Sequence, residues 1–248
     1  YTYSNSMVNS KTTKKAQYFL TDTSYTTDNL VESIQKNDAH AINIGLEQKI
    51  DSLTDFYFTS KIKKIGSTTT SKDETDFLRS DNVKTRNTSI NNSNKSEGYD
   101  IANNLKLIKR FKKKDRLLNV TYGNTLSETN TDGILKTDNY SYADSSEFLI
   151  SVNQKKNGFN NNQSHLAGIT YTEPITKKIK IEASYDYMYY KSKQNKQALN
   201  NIGGEYNQLD STLTNNFENV KQINRAGLKF IYEVHRITYL RLISIVFD

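Results

Sequence analysis

A side-chain alternation of period two, returning at a fixed interval, constrains this chain more than any other feature. It is clearest in Leu166 to Tyr190, where Ile179, Ile181, Ala183, Tyr185, Tyr187 and Tyr189 fall on one parity and Lys180, Glu182, Ser184, Asp186 and Met188 on the other. Successive side chains of an extended strand point to opposite faces, so this stretch makes a ribbon with one apolar and one polar face. Before it, Ala167, Ile169 and Tyr171 alternate with Gly168, Thr170 and Thr172, and Glu173 and Pro174 mark the turn between the two strands. Pro174 is the only proline in the chain, and a residue with no N–H to donate suits a strand end or turn.

Two more hairpins follow the same rule. Ile42, Ile44, Leu46 and Ile50 share a parity, Asp51 to Asp55 turns the chain, and Phe56, Phe58 and Ile62 resume the alternation. Tyr99 to Ile108 leads into the basic turn from Lys112 to Arg116 and then to Leu118, Val120 and Tyr122. Turns near residues 52, 113 and 175 recur at about 61 residues. The same interval places another turn near residue 236, at Glu233 to Arg236, followed by a final strand or a truncated end over Ile237 to Phe247.

The remaining stretches are polar. Residues 66–97, 125–162 and 191–219 read as long loops, as do residues 21–38. Residues 1–20 read as a weak hairpin broken at Ser10 to Lys14, Asn157-Gly158 as a tight turn, and Phe148 to Val152 as a strand extension beyond the main sheet.

Composition shows what this pattern has to satisfy. Only 35% of residues are hydrophobic and mean hydropathy is −0.77, too polar for an ordinary packed core. Yet 17 tyrosines and 10 phenylalanines are too many for a disordered chain. A transmembrane helix needs roughly 18 consecutive apolar residues, and no such run occurs. A transmembrane barrel needs only strands of about ten alternating residues, with tight turns on the periplasmic side and long loops outside. In lipid the closed barrel is the sheet form that leaves no backbone group unpaired. The expected fold is therefore all-β: an antiparallel up-and-down transmembrane β-barrel, partial at about ten strands, with long polar extracellular loops.

The chemistry-bearing residue types point to no enzyme. The chain has no cysteine, and His40, His165 and His235 lack the spacing of a metal motif. Ser164 and His165 are adjacent, so in a strand they face apart and make no nucleophile–base pair. No cofactor is expected. The net charge of +7 comes from lysines gathered mainly at turns and spread among acids, which argues against a nucleic-acid surface. Lys106 to Arg116 partly fits a cationic amphipathic helix as well, but a lysine-rich turn is the reading adopted.

Asn103-Asn104-Leu105 through Phe111-Lys112-Lys113-Lys114, Thr170-Tyr171-Thr172-Glu173-Pro174, Tyr206-Asn207-Gln208-Leu209-Asp210-Ser211 with Asn215-Asn216-Phe217, and Ala226-Gly227-Leu228 resemble the barrel of TonB-dependent receptor-like outer-membrane proteins of Bacteroidota. The resemblance spans roughly residues 38–232, while residues 233–248 depart from it. It implies residence in the bacterial outer membrane and a part in uptake of a bulky nutrient, a glycan or metal chelate. Contact with the TonB complex would run only through an upstream plug domain. On this reading Ile179, Ile181, Ala183, Tyr185 and Tyr187 face lipid, Lys180, Glu182 and Asp186 face the lumen, and Glu173 and Pro174 form a periplasmic turn. The alternative is a surface-exposed β-sheet adhesin or binding protein without transport activity.

Overall fold

A computed structural model describes residues 1–19, 24–143, 146–232 and 244–247. Among these residues it contains no helix. Ten strands run in order: β1 (Thr2–Phe19), β2 (Ser24–Asp51), β3 (Thr54–Arg79), β4 (Lys84–Arg110), β5 (Leu117–Ala143), β6 (Ser146–Pro174), β7 (Ile179–Ile202), β8 (Glu205–Leu209), β9 (Asn215–Tyr232) and β10 (Ser244–Phe247). They form one antiparallel up-and-down sheet, ordered β1 through β7, then β9 and β10, with β8 paired to the top of β7. Among the described residues the sheet is not closed, and β1 and β10 are its edges.

The three expected turns are present. Ser52 and Leu53 link β2 to β3, Phe111 to Arg116 link β4 to β5, and Ile175 to Lys178 link β6 to β7. Each is held locally. The Leu53 N–H and the Thr54 hydroxyl donate to the Asp51 carboxylate at 2.7 and 2.9 Å, the Phe111 N–H donates to the Arg116 carbonyl, and the Ile175 N–H to the Ile179 carbonyl. Asp115 adopts φ 64°, a left-handed geometry that Asp tolerates better than most side chains. The turn expected near residue 236 lies outside the described residues, and of the final strand only Ser244 to Phe247 is described, paired with Asn224 to Gly227 of β9.

The long loops are not there. Residues 66–97 are the upper parts of β3 and β4, paired without interruption from Gly66↔Glu97 to Phe77↔Arg86. Their connection is the short turn from Ser80 to Val83. Most of 125–162 is likewise strand in β5 and β6, and 191–219 is the top of β7, the β8 hairpin and the start of β9. Residues 24–38 belong to β2, and the described residues of 1–20 make a single strand, β1, with no hairpin. Asn157-Gly158 is no turn: it sits inside β6 between Thr131-Asp132 and Lys196-Gln197. Phe148 to Val152 does lie at the sheet margin, paired with β5 alone. Lys106 to Arg110 end β4 as strand, which removes the amphipathic helix.

These polar stretches hold as strands because backbone ladders and cross-strand side-chain bonds satisfy them together. Asn87 donates to Asp76 at 2.6 Å, Thr88 to Asn139 at 2.8 Å, Ser151 to Asp138 at 2.6 Å and Ser192 to Asn162 at 2.7 Å. Gly203 and Gly204, at φ 66° and 96°, form the two-residue turn between β7 and β8. Positive φ at both central positions is the geometry that lets a tight hairpin follow the strand twist.

The sheet is a single layer without a conventional core. Only Ala198 and Ile231 are buried hydrophobics among the described residues.

Candidate functional site

Directly paired residues share a face, so the register shows where the alternating residues of different strands meet. Leu46, Phe58, Leu105, Tyr122, Ala167 and Tyr187 form one cross-strand row. The next row holds Gln48, Phe56, Leu107, Val120, Ile169, Tyr185 and Ala226. Below it come Leu118, Tyr171, Ala183 and Leu228, then Ile181 with Phe230, and Ile179 with Tyr232. Seven strands thus place their apolar parity on one face as a continuous belt, next to the turns at residues 52, 113 and 175. Ile179, Ile181, Ala183, Tyr185 and Tyr187 all belong to it.

On β7 the belt spans nine residues, Ile179 to Tyr187, about 31 Å along the strand at ~3.4 Å per residue. At the usual barrel tilt this corresponds to a height of roughly 20–25 Å, the size of a barrel's lipid-facing band. Its side chains have no second layer over them. Ile44, Leu46, Ile169, Tyr185 and Phe230 each leave 44 to 50% of their surface open. Water is a poor neighbour for so much contiguous apolar area.

Amphipathic rings gather at the upper margin of the belt. A hydrogen bond of 2.7 Å joins the Tyr1 hydroxyl to His40 Nδ1, and Tyr3 packs against the same imidazole at 4.9 Å between centroids. Tyr122 and His165 share a bond of 2.8 Å, with Tyr189 6.0 Å beyond. Tyr99 donates to Glu128 at 3.2 Å. The tyrosines of β7, Tyr185 to Tyr190, were legible in sequence, though they lie in the middle of the strand, which runs on to Ile202, and not at its end. The histidines joining them were not, because His40 and His165 come from strands whose pairing only the fold displays.

On the opposite face, Lys180, Glu182 and Asp186 follow one another along β7. Glu182 pairs with Lys229 at 3.6 Å, Asp186 stands opposite Arg225, and Lys180 reaches Asp115 of the turn at 3.3 Å. Thr121, Thr170, Ser184 and Asn104 share this polar face. Ser164 bonds Thr125 on it at 2.7 Å, while His165 belongs to the belt face, so the two point apart as their adjacency requires. Among the described residues no group of three or more His, Cys, Asp or Glu is placed to hold a metal ion.

The rim next to the belt is a network of charges. Glu173 lies on the belt face at the end of β6, where Lys113 and Arg116 both donate to its Oε1 at 2.7 Å and Tyr171 donates to Oε2 at 2.6 Å. Arg116 above all, with Lys113 and Tyr171, holds this carboxyl at about 2, below its ordinary 4.5. Asp51 is held at about 2, first by the Leu53 N–H and then by Lys109. Arg110 pairs with Asp55 at 2.6 Å. Pro174 follows Glu173 as the last residue of β6, opposite Lys180.

Above the belt the same face carries shallow hollows. One of about 880 Å³ is lined by Asp28, Asn87, Tyr140, Tyr142 and Glu147, among others.

No known protein-family model matches the chain, and neither does any curated protein or solved structure.

Proposed function

We propose that this chain is part of the wall of an outer-membrane β-barrel of TonB-dependent receptor type, taking part in uptake of a bulky nutrient such as a glycan or metal chelate. The observation that carries the reading is the seven-strand apolar belt, bordered by Tyr–His clusters on one side and charged turns on the other. Lipid is the solvent that suits a half-exposed belt of this height on a single-layer sheet. Ile179, Ile181, Ala183, Tyr185 and Tyr187 then face acyl chains, and Lys180, Glu182 and Asp186 line a wet lumen. The turn at Glu173 and Pro174 faces the periplasm. Nutrient recognition passes from loops to the paired upper strands, which form a tall polar wall. Since no edge survives unpaired in lipid, β1 and β10 are joined by further strands in the assembled barrel, and coupling to TonB runs through a plug domain.

A second reading rests on the hollow bearing Tyr140 and Tyr142. It opens on the belt side, where a barrel would not hold cargo, and would suit a surface β-sheet binding protein without a pore.

Fractionation of cells producing the full protein tests both. The barrel reading expects it in the outer membrane, with gel mobility that changes on heating. It also expects deletion of the gene to abolish growth on one class of glycan or chelated metal. A water-soluble monomer needing no detergent would contradict it and favour the binding protein.

A further inference from the structure

The turn rim holds more positive charge than its own acids use. Residues 50–55, 109–118 and 173–180 carry nine basic and four acidic side chains, a surplus of five in a chain of net charge +7. All four acids are paired: Asp51 with Lys109, Asp55 with Arg110, Glu173 with Lys113 and Arg116, and Asp115 with Lys180. Lys112, Lys114, Lys177 and Lys178 remain exposed, with no ion pair among the described residues. They stand on two neighbouring turns, since the strands beside them meet at Leu117↔Thr172 and Glu173 bridges the turns.

The second observation is position. The lowest rows of the belt, Leu118 with Tyr171 and Ile181 with Phe230, end beside these turns. Phe111 packs edge-on against Tyr171 at 6.3 Å, and Ile175, in the turn itself, is 54% exposed. A lysine with an apolar stem beside an apolar surface lays the stem along it and lifts its ammonium to the polar boundary.

We infer that this rim is a docking surface for the phosphate headgroups of anionic phospholipids. The four free ammonium groups supply the charge, and Ile175, Phe111 and the belt edge supply the apolar floor. The inference rests on the membrane reading and adds lipid selectivity to it. The ammonium of lysine suits a phosphodiester as a point charge and needs no shaped pocket.

The test is insertion of the full protein into vesicles of phosphatidylcholine alone or with phosphatidylglycerol, scored by heat-modifiable mobility. Spin-labelled phosphatidylglycerol and phosphatidylcholine are then compared for association with the inserted protein. The expected result is a preference for the anionic lipid of at least several-fold, since each basic group near an anionic surface is worth about five-fold. It should collapse in 1 M salt, where the Debye length falls to about 3 Å, and in a K112Q/K114Q/K177Q/K178Q variant. A control variant, K36Q/K64Q/K155Q/K193Q at the far side of the belt, should keep it. Equal association of both lipids with inserted protein, or a preference that survives the rim substitutions, overturns the inference alone. Failure to insert into either vesicle overturns the membrane reading and the inference with it.

Discussion

Glu173 shows how much of this sheet's order is set one residue at a time. Its two oxygens accept from Lys113, Arg116 and Tyr171, so one carboxylate ties the β4–β5 turn to the end of β6. Its folded value of about 2 lies below its ordinary 4.5. A depressed carboxyl stabilises the fold above its unfolded value and loses that contribution as pH falls toward the folded one. Wild type should therefore exceed Glu173→Gln in denaturation midpoint at neutral pH, and the gap should close between about pH 4.5 and 2. A gap constant over that window would show that the ion pairs contribute nothing. Gly98 sets another local limit. A Cβ there would meet the backbone carbonyl of Glu128 on β5, and Thr129 Oγ1 at 3.0 Å. The backbone cannot rotate away as a side chain does, so Gly98→Ala should cost about 1–3 kcal/mol, read as a lowered urea midpoint.

At the scale of elements, the sequence and the fold agree near the belt and part company above it. Alternation of Ile, Phe and Tyr against Lys, Asn and Thr marked the lower halves of β2 to β7 and their three turns, because there one face is apolar and period two is visible. In the upper halves both faces are polar, hydropathy carries no period, and residues 66–97, 125–162 and 191–219 look like loops. A weaker period was present in the charges. Lys72 with Glu74, Lys95 with Glu97, and Lys136 with Asp138 are opposite charges two residues apart, and all three pair on one face. Such spacing suits a strand and has no use in a helix. These exposed pairs add little stability each, but they were the signal in the sequence. The strand assignment predicts slow amide exchange through 68–76 and 88–96, at the rate of the belt strands. Exchange at the rate of free peptide would restore the loops.

Across the whole molecule, the strands are too long for their belt. β2 to β7 have 24 to 29 residues, or about 80–95 Å at ~3.3 Å per residue, against a hydrocarbon layer of about 30 Å. On β7 nine residues, Ile179 to Tyr187, would sit in lipid under the proposed reading, and the rest would stand above it as a polar wall. Under that reading the Tyr–His clusters would fall at the border between the two, where a ring with one polar tip is satisfied on both sides. The candidate site was therefore half legible: the residues of each face could be read from parity, while their assembly into one belt depends on a register that no single strand contains.

The chain's lack of cysteine makes that belt directly testable. Single-cysteine variants at Leu105, Val120 and Ile169 on the belt face, and at their neighbours Asn104, Thr121 and Thr170 on the polar face, are treated with a water-soluble maleimide in intact outer membranes. Lipid on the belt predicts that Leu105→Cys, Val120→Cys and Ile169→Cys stay unlabelled until the protein is unfolded in denaturant, while Asn104→Cys, Thr121→Cys and Thr170→Cys react without it. Labelling of both sets at the same rate in the folded protein would contradict the membrane belt.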